Sequence, residues 1–104
     1  MIQKTYIFDV DGTICTHSNS KYETAKPLVD RIKVVNNLFT DGHKIIIMTS
    51  RGMTTGLDWE DLTKRQLREW GVLYHELHMR KIFYDIWVDD KAVSDFDFFK
   101  DKAV

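Results

Sequence analysis

The chain has 104 residues and a single cysteine, Cys15, which suits one domain with no internal disulfide and no multi-cysteine metal cluster. Its formal net charge is −1, so no overall basic field would recruit nucleic acid or an anionic membrane. No apolar run approaches the roughly 20 residues of a membrane span, and the N-terminus lacks the features of a signal peptide. We therefore expect a cytoplasmic protein with one domain over residues 1–104, and neither nucleic acid nor membrane as a partner.

The first half of the chain predicts a strand, a polar flap and a helix. TYIFDV (5–10) is a short run of β-branched and aromatic residues, which is typical of a buried strand. Residues 14–26 are polar and rich in turn-forming residues, and we define them as the flap. A helix is predicted over 27–40, because Pro27 suits its first position and Gly42 its end. Its apolar residues recur at helical spacing on one face: Leu28, Ile32, Val35 and Phe39.

The second half continues the alternation of strands and helices. Further elements are predicted as a strand at 43–49, a loop at 51–57, a helix at 58–70, strands at 73–79 and 85–88, and a short helix at 94–104. The isoleucine run in the strand at 43–49 indicates burial on both faces, as in a parallel sheet. The order β-α-β-α-β-β is typical of an α/β fold, here a Rossmann-like three-layer sandwich with a mainly parallel sheet whose crossovers would cover both faces.

Polar residues follow three of the predicted strands, at the point where each strand ends. They are Asp9 and Asp11 after the first, Thr49, Ser50 and Arg51 after the second, and Asp89 and Asp90 after the last. Ligands of open parallel sheets bind outside the carboxyl ends of the strands, so these side chains are expected to meet at one edge. Four carboxylates at one edge would repel one another without a cation. Their oxygen atoms suit Mg²⁺, although simple turns remain the alternative interpretation of each acidic pair.

These motifs resemble those of the haloacid dehalogenase (HAD) superfamily, on its phosphatase side. YIFDVDGT (6–13), IIIMTSR (45–51) and IWVDD (86–90) are similar to the first, second and fourth motifs of that family. Lys81 is the best match to the lysine of the third motif, and Lys64 is its rival. The short gaps leave no room for a cap domain, so the chain resembles the small capless members, in particular the phosphatases of capsular polysaccharide biosynthesis. It also resembles the phosphatase half of polynucleotide kinase-phosphatases, which ranks lower because the chain has no basic stripe.

The resemblance implies a chemical role for the matched residues. Asp9 would be the nucleophile that forms an aspartyl-phosphate, and Asp11 would be the general acid and base. Both point the same way because side chains alternate along a strand. Thr49 would hydrogen-bond a phosphoryl oxygen, and Lys81 would neutralise charge on the nucleophile and the phosphate.

The resemblance also implies residues that bind substrate and metal. Gly12 would let the chain turn beside the ligand, Ser50 would present its backbone N–H to phosphate, and Arg51 would either reach the phosphate or anchor the loop at 51–57. Mg²⁺ would be held by Asp9, by the backbone carbonyl of Asp11 and by Asp90. Whether Asp89 binds the metal directly is left open.

Together these inferences predict an enzyme, a Mg²⁺-dependent hydrolase of phosphomonoesters. Its substrate would be a small phosphorylated metabolite, such as a sugar phosphate of surface polysaccharide biosynthesis. A polynucleotide or nucleotide phosphatase is the alternative, and a non-catalytic module that accepts or binds phosphate is a third. The third is disfavoured because the middle strand ends in Thr49 and Ser50 and not in an acceptor aspartate.

Two questions are left to the structure. Without a cap, specificity would come from the flap, from the loop at 51–57 or from a neighbouring subunit, so a homo-oligomer could complete the site. Near the first motif, Cys15 is expected to be open to thiol reagents, and His17 is expected to be exposed more than to contact substrate.

Overall fold

The computed structural model describes residues 2–102, and it contains a three-stranded parallel sheet. The strands are β1 (Thr5–Asp9), β2 (Lys44–Met48) and β3 (Glu76–His78), which lie side by side in that order. Asp9 lies opposite Met48 in the pairing of β1 with β2. The predicted α/β fold with a parallel sheet is confirmed, with strands somewhat shorter than the sequence predicts.

Helices follow the strands as the periodicity predicts. They are α1 (Val29–Thr40), α2 (Glu60–Glu69) and α3 (Asp95–Phe99). α1 begins two residues later than predicted, because Pro27 forms an isolated antiparallel bridge with Cys15. Ser94 directly precedes α3, and its hydroxyl caps the helix by accepting a hydrogen bond from the Asp97 N–H at 3.2 Å. It ends earlier than predicted, and residues 103–104 lie outside the described residues. Within 2–102, no helix is long and apolar enough to cross a membrane.

One face of the sheet carries the core. Side chains of alternate strand residues, such as Phe8, Ile45 and Ile47, are buried there. An aromatic cluster joins β1 to α3, since the ring of Phe8 lies 5.6 Å from Phe98 and 6.0 Å from Phe99. On the opposite face Ile7 is 58% exposed. The opposite face at β1 is therefore less covered than a three-layer sandwich predicts.

The predicted buried strand at 85–88 is wrong for this structure. The segment forms neither strand nor helix, and Ile86 and Val88 are 83% and 92% exposed. Instead, Asp89 makes local contacts, in which its carboxylate accepts hydrogen bonds from the Trp87 indole at 3.3 Å and the Lys91 N–H at 3.0 Å. An apolar run indicates a strand only when a neighbouring strand receives it, and here β1 pairs with β2 alone among the described residues.

Candidate active site

A pocket of about 390 Å³ opens at the carboxyl ends of β1 and β2. Its lining combines carboxylates, a lysine, hydroxyl groups and aromatic rings: Asp9, Asp11, His17, Ser18, Asn19, Ser20, Tyr22, Ser50, Lys81, Ile82, Phe83 and Tyr84. The sequence predicts this position, because ligands of open parallel sheets bind beyond the strand ends. Asp9, Asp11, Ser50 and Lys81 are thus brought together as predicted.

A tight turn after β1 presents the two aspartates. The carbonyl of Val10 accepts hydrogen bonds from the N–H groups of three following residues, at 3.1, 3.0 and 3.3 Å. Gly12 has a φ of +81°, a conformation that favours glycine. A Cβ atom there would lie 2.2 Å from Nε2 of His17, so the imidazole covers this glycine closely. His17 is exposed, as the sequence predicts, and through its close packing on Gly12 it also forms part of the pocket wall.

Asp9 lies at the end of β1 beside a cation. Nζ of Lys81 is 3.4 Å from its Oδ2, and the Val10 N–H donates to its Oδ1 at 2.9 Å. Burial nevertheless raises the pKa of Asp9 above its ordinary value, because the loss of hydration outweighs the attraction of Lys81. Lys81 is held in place by its backbone N–H, which donates to the carbonyl of Thr49 at 3.1 Å.

The structure distinguishes between the two candidate lysines. Lys64 lies on α2, where its ammonium group pairs with Glu60 at 2.7 Å and is half exposed. It does not line the pocket, whereas Lys81 does. The geometry therefore supports Lys81 as the lysine of the third motif.

Asp11 forms a two-pronged ion pair with Arg51. The guanidinium donates from Nε to Oδ2 and from Nη2 to Oδ1, both at 2.9 Å. On its far side, Nη1 donates to Thr63 Oγ1 at 3.0 Å and to Gln66 Oε1 at 2.6 Å. The side chain of Arg51 has no exposed surface, and its charge lies 4.7 Å from the ring centre of Tyr22. We call Arg51, Asp11, Thr63, Gln66 and Tyr22 the arginine clamp.

The clamp bears on two predictions, the contact of Arg51 with phosphate and the hydrogen bond of Thr49 to a phosphoryl oxygen. Arg51 does not line the pocket, so here it anchors structure and does not reach a bound phosphate. Thr49 is also buried, and its hydroxyl accepts the Arg51 N–H at 3.1 Å, so Ser50 is the residue of this segment that faces the pocket. That contact leaves the Thr49 hydroxyl proton free to be donated elsewhere.

Two further walls come from segments that sequence patterns describe poorly. The flap contributes Ser18–Ser20, with positive φ values of 52° at Asn19 and 68° at Ser20, which non-glycine residues adopt uncommonly. Phe83 and Tyr84, which follow Lys81 closely in the chain, also line the pocket. In the sequence, only their closeness to the first motif and to Lys81 indicated that these residues would line the pocket.

The acidic pair Asp89 and Asp90 does not join this pocket. Both are exposed and neither lines it. Across the part of the chain that the structure describes, no group of three or more acidic, histidine or cysteine side chains could hold a metal ion. The predicted convergence of four carboxylates is thus absent here, because the strand expected to deliver the last two does not form.

Cys15 differs from its prediction as well. It is fully buried, and its thiol points to Oδ1 of Asp11 at 3.5 Å. Burial, together with the nearby Asp11 charge, raises the pKa of this thiol to about 12. A thiol in this environment is protonated and shielded from reagents.

Comparison with known proteins agrees with the geometry. The family of polynucleotide kinase PNKP phosphatase domains, of HAD type, matches residues 3–91. A crystal structure of a target protein from Vibrio cholerae superimposes with a TM-score of 0.83 at 26% identity, over 92% of this chain and 87% of that one.

A second solved structure shares the fold alone. It belongs to a Pnkp1/Rnl/Hen1 complex and has a TM-score of 0.62 at 19% identity, covering 97% of this chain but 35% of that one. A search of curated proteins gives no match. Since the family match spans most of the sequence, the chain belongs to the HAD-type family of polynucleotide kinase PNKP phosphatase domains.

Proposed function

We propose that this chain hydrolyses phosphomonoesters through an aspartyl-phosphate on Asp9. One observation carries the proposal: two carboxylates, Asp9 and Asp11, face a single pocket in which Lys81 neutralises the first. A carboxylate oxygen of Asp9 forms a bond to phosphorus while the bond from phosphorus to the leaving oxygen breaks. Lys81 offsets the negative charge that the nucleophile and the phosphoryl group bring together.

Asp11 moves the proton in both halves of the reaction. The Asp11 carboxylate first takes the proton of a phosphomonoester monoanion and then gives it to the leaving oxygen, so that the product departs as an alcohol. The resulting carboxylate then takes a proton from a water molecule, whose oxygen bonds to phosphorus as the bond to Asp9 breaks. Free phosphate leaves with the proton that Asp11 took from the water, and both aspartates return to their carboxylate states.

Mg²⁺ is the cofactor that this donor set suits best. It commonly binds one or two carboxylates together with substrate phosphate, and Asp9 with the carbonyl of Asp11 would supply protein oxygens of that kind. When bound, it would neutralise charge on the transferring phosphoryl group. Asp90, and Asp89 beside it, would be further ligands in this proposal, although the structure has them outside the pocket.

The proposed substrate is a small phosphorylated metabolite, such as a sugar phosphate of surface polysaccharide biosynthesis. The hydroxyl-rich flap, with Ser18, Asn19 and Ser20 in the pocket wall, favours a polar alcohol as the leaving group. A nucleotide or polynucleotide phosphate is the second candidate. The family match favours it, and so do the rings of Phe83 and Tyr84, which could stack on a base.

Phosphate release from a substrate panel tests the proposal. Purified protein is incubated with p-nitrophenyl phosphate, sugar phosphates, nucleotides and a 3′-phosphorylated oligonucleotide, with Mg²⁺ or with EDTA. We expect Mg²⁺-dependent turnover that Asp9→Asn lowers by at least about 1,000-fold. Asp101→Asn, an exposed aspartate outside the pocket, serves as the matched control and should leave turnover unchanged. No phosphate release from any monoester would contradict the proposal.

A further inference from the structure

The arginine clamp uses the full donor capacity of Arg51. A guanidinium has five N–H donors. Here each donor has an acceptor: the two oxygens of Asp11, Thr63 Oγ1, Gln66 Oε1 and the Cys15 sulfur, which lies 4.0 Å from Nη2. Arg51 therefore has no N–H donor available for a substrate in this arrangement. Asp11 binds Arg51 through both carboxylate oxygens and also lines the pocket. Any effect of the clamp on the reaction would therefore pass through the Asp11 carboxylate.

We infer that Arg51 is a positioning residue for proton transfer by Asp11, an inference that rests on the proposed function. A carboxylate has about four acceptor positions on its two oxygens. The fork of Arg51 takes one position on each, and the Cys15 thiol donates to a second position on Oδ1 at 3.5 Å. A fork also fixes the plane of the carboxyl group, which a single hydrogen bond cannot do. The remaining edge of Asp11, which lines the pocket, is thus held in one orientation toward the oxygen of the leaving group.

The clamp also connects this orientation to the flap. Gln66, on α2, accepts from Arg51 and donates through Nε2 to the backbone carbonyl of Tyr22 at 2.6 Å. The ring of Tyr22 lies over the guanidinium and meets Trp59 edge-on at 5.0 Å. Any displacement of the flap at Tyr22 therefore disturbs the partners that hold Asp11.

The dependence of rate on the leaving group isolates this role. An alkyl alcohol needs the proton of Asp11 as it leaves, whereas p-nitrophenolate departs without one. In the first turnover, misplacing Asp11 should therefore slow the release of alcohols and spare that of p-nitrophenolate. Hydrolysis of the aspartyl-phosphate, which also uses Asp11, then slows equally with both substrates, so the comparison is made on the release step. Loss of fold or loss of phosphate binding would instead slow both substrates alike.

Arg51→Lys is the main variant, because lysine keeps the charge but cannot form the fork. We expect the single-turnover rate of leaving-group release to fall about 100-fold for a sugar phosphate and less than about fivefold for p-nitrophenyl phosphate, with the half-saturating concentration of both substrates little changed. Arg65→Lys makes the same substitution at an exposed arginine of α2 and should alter neither rate. The double variant with Asp11→Asn should be no slower than Asp11→Asn alone, because both changes affect one step. Equal losses for the two substrates, or additive losses in the double variant, overturn the inference.

Two further measurements keep the outcome clear. If Arg51→Lys fails to fold by circular dichroism, Thr63→Val retains the fork and removes one acceptor behind it, and should slow the sugar phosphate selectively by about 3- to 10-fold. If wild type releases phosphate from neither substrate, the proposed function fails. The clamp is then judged by the Nε–H resonance of Arg51, which should shift in Asp11→Asn and not in Asp101→Asn. An unshifted resonance would refute the inference by itself.

Discussion

Asp9 carries its charge in surroundings that disfavour it. Burial raises its pKa despite the nearby Lys81, so the folded protein holds the proton of this carboxyl group more tightly than the unfolded chain does. The associated stabilisation is complete at pH values below 3.8 and is lost as the pH rises through the raised value. At neutral pH the ionised carboxylate therefore lowers the free energy of unfolding.

Replacing Asp9 should consequently separate activity from stability. Without divalent metal at pH 7, Asp9→Asn is expected to melt at a higher temperature than wild type, while its phosphatase activity is lost. The difference in Tm should shrink as the pH falls through the raised pKa of Asp9 and be smallest below 3.8, where wild type also carries a neutral side chain. Thermal melts across pH provide the measurement. A lower Tm for Asp9→Asn than for wild type at pH 7 would contradict the conclusion that burial of the ionised Asp9 carboxylate destabilises the fold.

Cys15 offers a second residue-scale prediction. Because the thiol is buried and its pKa is raised to about 12, alkylation by iodoacetamide at pH 8 should be at least about 100-fold slower in the native protein than in denaturant. Mass spectrometry of timed samples measures both rates. Comparable rates would mean that the segment around Cys15 opens readily.

The sequence predicted some residues of the site and missed others for a physical reason. Asp9 and Asp11 follow a strand end, and Lys81 matches a motif of the family that the sequence resembles, so these two signals together placed the three residues in one pocket. The contacts of Arg51 with Thr63 and Gln66 span 12 and 15 positions and depend on how α2 packs. No periodicity encodes such packing. For Arg51, sequence reasoning could therefore offer only two equal alternatives.

At the scale of elements, two glycines of the loop at 51–57 make a matched pair. Both have positive φ, +83° at Gly52 and +75° at Gly56. A Cβ at Gly52 would lie 2.1 Å from the carbonyl oxygen of Leu57, while a Cβ at Gly56 meets nothing within 4 Å. Substitution at Gly52 therefore forces the backbone of the loop to move, and substitution at Gly56 adds only conformational strain.

We expect Gly56→Ala to lower the free energy of unfolding by about 1 kcal/mol and Gly52→Ala by about 2–4 kcal/mol. Denaturant unfolding of both variants measures the difference. Since Gly52 follows Arg51 directly, its variant should also reduce turnover of a sugar phosphate. Equal destabilisation by the two substitutions would show that the loop accommodates the added methyl group freely.

The sequence predicted those strands and helices best whose apolar residues pack against another element of the core. β1, β2 and both long helices lie within the ranges that periodicity gave, because their apolar faces pack on each other. The strand predicted at 85–88 does not form: its apolar residues pair with no strand among the described residues of this structure and stay exposed, although one edge of β1 is open there.

At the scale of the whole molecule, the acidic pair is the point at which sequence and structure differ. The proposed function gives Asp90 a part in binding Mg²⁺, whereas the structure has it exposed and outside the pocket. If the proposal holds, Asp90→Asn should raise the Mg²⁺ concentration for half-maximal activity by about 10-fold or more. Metal titration of the initial rate provides the measurement, with Asp101→Asn as control. An unchanged requirement would remove Asp90 from the proposed metal site.

The free edge of β1 has a consequence for how this molecule meets other chains. In the described residues β1 pairs on one side only, so its other side presents unpaired N–H and C=O groups, a template on which a further strand can add. Any segment that paired there would run alongside Asp9, the last residue of the strand. A strand added at this edge would then lie beside the proposed nucleophile, and its pairing would change the backbone contacts of the residue that carries the proposed chemistry.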